Sequence, residues 1–143
     1  MEPRPDWHEY FVNIAFAVAK RSVCTRRRVG AVLVRDNRVI STGYNGAPVG
    51  EPECAEACPR GQLSYRELPT GASYDSGPGK CIAIHAETNA LVHAGADLAR
   101  GAILYCTHDP CPECRKLIRE MGIASVITPI DVRAMQFLTE GFR

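Results

Sequence analysis

Hydrophobic positions along the chain follow two spacings, one typical of helices and one typical of strands. Helical spacing predicts helices at about 6–22, 86–94, 111–121 and 131–140, and short apolar runs predict strands at about 29–34, 38–43, 102–107 and 124–128. Asp36-Asn37 is a turn signal that joins the first two strands in a hairpin. A hairpin followed by alternating helices and strands predicts an α/β fold, in which helices pack around a mixed sheet.

The segment 46–80 follows neither spacing. It is rich in glycine and proline, and no clear helix or strand emerges from it. A loop of this length in a compact domain is usually functional, or is held by something other than a hydrophobic core. We therefore expect one domain over residues 1–143, with an insertion at about 46–80 that carries Cys54 and Cys58 and is followed by Cys81.

Composition excludes several classes of protein. The chain has 143 residues, of which 45% are hydrophobic and 23% are charged, and these values exclude disordered and collagen-like chains. It has neither the run of roughly 20 apolar residues that a membrane-spanning helix needs nor the layout of a signal peptide, so we expect a cytoplasmic protein without a membrane partner. A formal net charge of +1 and the lack of an aromatic and basic platform argue against a nucleic-acid partner.

Cysteine is the unusual component of the chain. There are 7 cysteines, an odd number that fits poorly with a closed disulfide framework, so metal ligation is the leading interpretation. The segments His85-Ala86-Glu87 and Pro110-Cys111-Pro112-Glu113-Cys114 match the H-x-E and P-C-x-x-C signature of zinc nucleobase deaminases. The alternatives are a redox pair, or a structural zinc site with Cys81 or Cys106 as its fourth ligand.

The spacing within these motifs suits a catalytic metal. Cys111 and Cys114 are three residues apart, which places them on one face of a helix, and His85 supplies a third ligand. Three protein ligands leave the fourth position of a zinc ion open to water. Glu87 is the candidate that takes a proton from this water and delivers it to the pyrimidine ring and later to the departing ammonia.

These two motifs, together with Ser41-Thr42-Gly43-Tyr44-Asn45-Gly46, resemble the cytidine deaminase superfamily and, within it, the deoxycytidylate (dCMP) deaminases. The resemblance covers residues 7 to about 128. It implies a three-layer α/β/α fold with a mixed five-stranded sheet, and hydrolytic deamination of dCMP to dUMP. It also implies that His85, Cys111 and Cys114 bind a catalytic Zn²⁺ and that Glu87 is the proton shuttle.

The resemblance further implies contacts with substrate and effectors. Asn45 resembles the residue that hydrogen-bonds the sugar, the backbone at Ala86 would donate to the pyrimidine O2, and Val29 and Gly30 would wall the base. Relatives of this type are often homohexamers that are activated by dCTP and inhibited by dTTP with Mg²⁺. The segment Tyr44-Asn45-Gly46 is implicated in that effector site.

Basic and histidine residues supply further candidates for substrate binding. In the run Arg26-Arg27-Arg28, Arg26 and Arg28 are the candidates for a phosphate contact because they alternate on one side. The alternative is a solvated turn between a helix and a strand. His108 adjoins the cysteine motif and is a candidate for contact on the substrate side.

Four cysteines outside the catalytic motif have the count of a closed structural zinc site: Cys24, Cys54, Cys58 and Cys81. Such a site would hold a segment that has little core of its own. Some dCMP deaminases resemble this arrangement, with a second zinc and a ligand at the position of Cys24. The alternatives are free buried thiols, or three cysteines completed by another residue. Cys106 alternates within an apolar strand and is expected to be a core residue.

Two other functions remain open from the sequence. The chain could deaminate another cytosine-containing nucleotide or nucleoside, or it could be a non-catalytic, zinc-stabilised nucleotide sensor. The intact Glu87 argues against the sensor, which would not need a proton shuttle.

Overall fold

The computed structural model describes residues 2–64, 66–68, 71–74 and 76–141. Its helices and strands in chain order are α1 (Trp7–Ala19), β1 (Gly30–Arg35), β2 (Arg38–Tyr44), α2 (Cys54–Ala57), α3 (Ala86–Ala94), α4 (Ala96–Ala99), β3 (Ile103–Cys106), α5 (Pro112–Glu120), β4 (Ser125–Ile127) and α6 (Pro129–Gly141). None of the helices in these residues is long and apolar enough to cross a membrane.

The strands form one mixed sheet in the order β2-β1-β3-β4. Strand β1 is antiparallel to both β2 and β3, and β3 is parallel to β4. The hairpin between β1 and β2 turns at Asp36 and Asn37, whose φ angles are 51° and 57°. Two consecutive positive φ angles are typical of the two-residue hairpin turn that matches the twist of the strands.

The two faces of the sheet bury alternate residues of each strand. Ala31 and Leu33 of β1 belong to a core cluster that includes residues of α3 and α5, whereas Val32 and Val34 belong to a second cluster with α1 and α6. Since successive side chains in a strand point to opposite faces, this division places helices on both sides of the sheet. The predicted three-layer α/β/α architecture is confirmed.

The prediction of five strands is wrong for the described residues, in which the sheet has four. After β4 the chain enters α6 at Pro129, earlier than the predicted start at residue 131. The Oδ2 atom of Asp131 accepts hydrogen bonds from the N and Oγ1 atoms of Thr128, at 2.8 and 3.0 Å. This capping interaction, with proline at the first helical position, directs the chain into a helix.

Other local predictions need smaller corrections. Helix α1 covers Trp7–Ala19 rather than 6–22, and it buries Phe11 and Ala15 while leaving Trp7 55% exposed. Within the described residues of segment 46–80 there is one helical turn, α2, where neither a helix nor a strand was expected. Cys106 is fully buried, as its place in an apolar strand predicts.

Candidate active site

The H-x-E and P-C-x-x-C motifs meet at the N-terminal ends of two helices. His85 is the N-cap residue of α3, and Cys111 is the N-cap residue of α5, with Cys114 in the first turn. Helix α3 lies directly on β2 at Gly43, where a Cβ atom would be 2.2 Å from the carbonyl oxygen of Ala86. This close approach fixes the start of α3, and with it His85, against the sheet.

The three predicted metal ligands lie together. The Nδ1 atom of His85 is 3.2 Å from Cys114 Sγ and 3.5 Å from Cys111 Sγ. All three ligand atoms lie within 4.8 Å of one another. Zinc–nitrogen and zinc–sulfur bonds of ordinary length in a tetrahedral site imply a nitrogen–sulfur separation of about 3.5 Å. The donor set and its spacing therefore fit a zinc ion with three protein ligands.

Glu87 lies beside these ligands and is buried, with 4% of its surface exposed. Its Oε2 atom is 3.6 Å from Cys114 Sγ. Burial raises the pKa of the Cys114 thiol, and the nearby negative charge of Glu87 raises this pKa further. A divalent cation held by these side chains would oppose both effects and favour the thiolate.

A cavity of about 120 Å³ opens onto this group. The cavity is lined by most of the residues that the sequence predicted for the two metal sites, the proton shuttle and the substrate contacts: Cys24, Arg26, Val29, Asn45, Cys81, His85, Ala86, Glu87, His108 and Cys111. Four further residues line it that the sequence analysis did not select: Arg27, Tyr74, Ala83 and Asp109.

Two predicted substrate contacts do not line this cavity. Gly30 faces α1, where a Cβ atom would be 2.0 Å from the carbonyl oxygen of Ala15. Arg28 is exposed to solvent and does not line the cavity. Arg27 lines the cavity instead. The prediction for Arg28 assumed the alternation of a strand, but β1 starts only at Gly30. No signal in the arginine run itself distinguishes Arg27.

Arg26 and Asn45 are held by the protein backbone at the rim of the cavity. Arg26 Nη2 donates to the carbonyl oxygens of Arg60, at 2.9 Å, and of Leu63, at 2.7 Å. Asn45 Oδ1 accepts from the backbone N–H of Val29 at 2.8 Å, and Asn45 Nδ2 donates to the carbonyl oxygen of Arg27 at 2.8 Å. The amide of Asn45 has a second N–H, which leaves it able to donate to a ligand.

His108 reaches the cavity from the end of β3. Its Nδ1 atom is 2.8 Å from Thr107 Oγ1, which also accepts a hydrogen bond from the backbone N–H of Gly30 at 3.0 Å. Burial lowers the pKa of His108, and the positive charge of Arg27 lowers this pKa further. Both effects favour the neutral imidazole, while the negative charge of Glu87 opposes them.

The four cysteines of the predicted structural zinc site lie near one another beside the same cavity: Cys24, Cys54, Cys58 and Cys81. Burial raises the pKa of the Cys54 thiol, and the electrostatic effects of Cys24, Cys58 and Cys81 raise this pKa further. The backbone N–H of Arg27 donates to Cys24 Sγ at 3.5 Å, and that of Gly61 donates to Cys58 Sγ at 3.4 Å. The backbone at Ala47 and at Ala83 lowers the pKa of Cys54 and of Cys81, against the effect of burial. In the described part of the chain, His85, Cys111 and Cys114 are the one group whose ligand atoms lie within 4.8 Å, so the four cysteines are more widely spaced.

The predicted effector segment is joined to the catalytic motif. Gly46 pairs with Ile84, with N–H to oxygen distances of 3.2 and 2.8 Å in the two directions. The carbonyl oxygen of Tyr44 accepts from Asn89 Nδ2 of α3 at 2.9 Å. Ile84 is the residue immediately before His85.

Comparison with known proteins gives a consistent result. Residues 5–129 match the family described as the cytidine and deoxycytidylate deaminase zinc-binding region. The chain is 50% identical to the deoxycytidylate deaminase of Mycobacterium phage D29 over 126 residues, which cover 88% of this chain and 96% of that protein. It is 46% identical to the deoxycytidylate deaminase of Schizosaccharomyces pombe, with 87% of this chain matched to 37% of the yeast protein.

Solved structures agree with the sequence comparisons. The dCMP deaminase of cyanophage S-TIM5, in complex with dCMP and dUMP, superposes with a TM-score of 0.66 at 29% identity. The superposition covers 89% of this chain and 83% of the cyanophage chain. The apo form of the same cyanophage enzyme gives a TM-score of 0.61 at 27% identity. With its metal-ligating motifs assembled and most of its length matched, the chain belongs to the cytidine and deoxycytidylate deaminase family.

Proposed function

We propose that this protein hydrolyses dCMP to dUMP and ammonia. The observation that carries the proposal is the convergence of His85, Cys111 and Cys114 at one point, with the buried carboxylate of Glu87 beside them and a cavity in front. The named activity of the phage D29 relative and the nucleotides in the cyanophage complex support dCMP as the substrate.

In this mechanism, a zinc ion bound by His85, Cys111 and Cys114 supplies the Lewis acidity that makes water a nucleophile at neutral pH. Glu87 accepts a proton from the attacking water and passes it to N3 of the pyrimidine as the C4–oxygen bond forms. Glu87 then takes the proton of the new C4 hydroxyl and passes it to the amine as the C4–nitrogen bond breaks, so that C4 becomes a carbonyl and the amine leaves as ammonia. Because Glu87 is buried, no bulk water competes for these protons.

The rest of the cavity orients the nucleotide. Asn45 donates to the sugar through its remaining N–H, Val29 packs against the base, and the backbone N–H at Ala86 donates to O2 of the pyrimidine. Arg26 and His108 lie at the rim on the side of the sugar and phosphate. These roles are consistent with the lining of the cavity.

The test is ammonia release from dCMP, CMP, deoxycytidine and cytosine, measured with and without dCTP. Glu87→Gln is expected to lower kcat for dCMP by about a thousandfold, because it removes the proton shuttle. Glu120→Gln is the matched control, since Glu120 is an exposed carboxylate at the end of α5 and does not line the cavity. Zinc content is measured in each variant, so that loss of activity is not confused with loss of metal.

Turnover of dCMP above the other compounds, lost in Glu87→Gln and kept in Glu120→Gln, supports the proposal. If CMP, deoxycytidine or cytosine is turned over in preference to dCMP, the protein is still a deaminase but its substrate is that compound. A folded, zinc-loaded protein that releases no ammonia from any of them would contradict the proposal and favour a nucleotide sensor.

We further propose that Cys24, Cys54, Cys58 and Cys81 bind a second, structural zinc ion. The backbone N–H groups that donate to Cys24 and Cys58 are the kind of support that metal-bound thiolates receive. Beyond the effect of burial, Cys24 and Cys58 also lie near enough to raise the pKa of Cys54 and of Cys81. Four thiolates with no open position would make the site structural rather than catalytic. Binding would draw the four sulfurs closer together and tie the insertion to the segment before β1.

Regulation and assembly complete the proposal. The enzyme forms a homohexamer, is activated by dCTP and is inhibited by dTTP with Mg²⁺, through the segment Tyr44 to Gly46. The pairing of Gly46 with Ile84, next to His85, supports a path from this segment to the catalytic ligands. Sedimentation velocity with and without each nucleotide measures the assembly, and a monomer under all conditions would contradict this part.

A further inference from the structure

The insertion contributes an aromatic side chain to the catalytic cavity. Tyr74 lines the cavity together with His85 and Glu87, although it belongs to the glycine- and proline-rich segment. The carbonyl oxygen of Tyr74 accepts a hydrogen bond from the backbone N–H of Cys81 at 2.7 Å. This bond ties the main chain of Tyr74 to residues 81–84, which lead directly to His85. The Tyr74 side chain is half exposed, so part of the ring is free to meet a ligand.

A buried arginine holds Tyr74 in this place. Arg60 is 8% exposed, and its Cζ atom lies 3.8 Å from the centroid of the Tyr74 ring. Its Nη1 atom donates to the carbonyl oxygens of Ser73 and Gly79, each at 3.1 Å, and its Nη2 atom donates to that of Ala72 at 3.3 Å. The planar guanidinium therefore fixes the backbone on both sides of Tyr74 and covers one face of its ring.

The same arginine is joined to a second residue that lines the cavity. Its carbonyl oxygen accepts from Arg26 Nη2 at 2.9 Å, and Arg26 lines the cavity too. Arg26, Arg60 and Tyr74 thus form one connected wall. This wall is made by the insertion and the loop before β1, and it is separate from the elements that carry the zinc-ligating residues.

We propose that Tyr74 is a specificity-determining residue that contacts the sugar and phosphate of the nucleotide, and that Arg60 is its positioning residue. The inference rests on the proposed function and deepens it. The metal ligands and Glu87 fix where C4 of the pyrimidine must lie, so the sugar and phosphate occupy the part of the cavity that other residues wall. Because Arg60 covers one face of the Tyr74 ring, the other face, the edge and the hydroxyl are available to the nucleotide. Of these, the hydroxyl gives specificity, because a phenol hydroxyl donates well to a phosphate oxygen.

The first test compares Tyr74→Ala, Tyr74→Phe and wild type in steady-state turnover of dCMP, with dUMP binding measured by calorimetry. Loss of one hydrogen bond to a charged group corresponds to about a tenfold rise in KM and in the Kd of dUMP. The value of kcat is expected to stay within about threefold, since Tyr74 does not touch the reacting atoms. Tyr74→Phe keeps the ring on Arg60, so it remains a valid test if the alanine variant unfolds.

Tyr10→Ala is the matched control, because Tyr10 is an exposed tyrosine on α1 and does not line this cavity. It is expected to leave both KM and the Kd of dUMP at the wild-type values. A wild-type KM in folded Tyr74→Ala and Tyr74→Phe would overturn the inference while leaving the proposed deaminase activity intact. An inactive wild-type protein would instead contradict the proposed function itself.

The positioning role of Arg60 is tested with Arg60→Lys, which keeps the charge but loses the planar fork. We expect it to raise KM for dCMP in the same way as Tyr74→Ala. The double variant is expected to raise KM no further than either single one, since both changes act through the same contact. A fall in thermal stability with an unchanged KM would show that Arg60 serves only the fold of the insertion. A fully multiplicative effect in the double variant would show that Arg60 does not act through Tyr74, and either result overturns the positioning role.

Discussion

At the scale of single residues, the most deeply buried hydroxyl in the sheet belongs to Tyr105. This side chain is 2% exposed, and its oxygen is 2.8 Å from His8 Nδ1. Burial raises the pKa of Tyr105 to about 12, and the negative charge of Asp6 contributes in the same direction. In an unfolded chain a tyrosine has a pKa of about 10. The difference makes the stability of the fold depend on alkaline pH.

We expect the free energy of unfolding to fall as the pH rises from about 10 to about 12. In that window the unfolded chain loses the Tyr105 proton while the folded chain keeps it, so high pH favours unfolding. Tyr105→Phe is expected to be less stable than wild type by about 1 kcal/mol at neutral pH, through the lost hydrogen bond, and to show a shallower decline above pH 10. Chemical denaturation across this range measures both effects.

Tyr10→Phe is the control for this experiment, because Tyr10 is an exposed tyrosine on the same helix as His8. Its decline with pH should be parallel to that of wild type. An equally parallel decline in Tyr105→Phe would show that Tyr105 does not carry the dependence.

At the scale of elements, the position of α3 on β2 decides the geometry of the site. Gly43 leaves no room for a side chain, since a Cβ atom would be 2.2 Å from Ala86 O and 2.5 Å from Ala90 N. These are backbone atoms, which cannot rotate away as the end of a flexible side chain can. Helix α3, which follows its N-cap residue His85, therefore lies as close to the sheet as two backbones allow.

Gly43→Ala is expected to lower the free energy of unfolding by about 2 kcal/mol and to weaken zinc binding at His85. The added methyl group pushes the start of α3 away from the sheet, and His85 moves with it relative to Cys111 and Cys114. Chemical denaturation and competition with a zinc chelator measure the two effects. The neighbouring Thr42 is exposed, so Thr42→Ala is the control, and equal behaviour of the two variants would contradict this account.

At the scale of the whole molecule, the sheet with its helices and the insertion are stabilised by different kinds of contact. The sheet and its helices have two hydrophobic clusters, one on each face. Among the described residues of the insertion few apolar side chains are buried, and the contacts that hold it include the guanidinium of Arg60, the cysteines and backbone hydrogen bonds. A segment held in this way is expected to depend on metal more than the sheet does.

We expect two zinc ions per wild-type chain, and one per chain in both Cys58→Ser and Cys114→Ser. Trypsin should cleave the insertion at Arg66 or Lys80 faster in Cys58→Ser than in Cys114→Ser. Only Cys58→Ser loses the structural zinc ion that holds the insertion in place. Elemental analysis and mass spectrometry of the digests measure the two quantities. One zinc per wild-type chain would contradict the second site.

The sequence by itself determined what depends on neighbours along the chain. The spacing of apolar residues predicted the principal helices and strands, and the motifs around His85 and Cys111 predicted the metal ligands, because an i, i+3 pair and a helix start are local properties. The tertiary structure decided which of the three arginines reaches the cavity, that Gly30 faces α1 and that Tyr74 comes from a segment without periodicity to line the same cavity. Those outcomes depend on contacts between residues far apart in the chain, and local spacing holds no information about which distant backbone will approach.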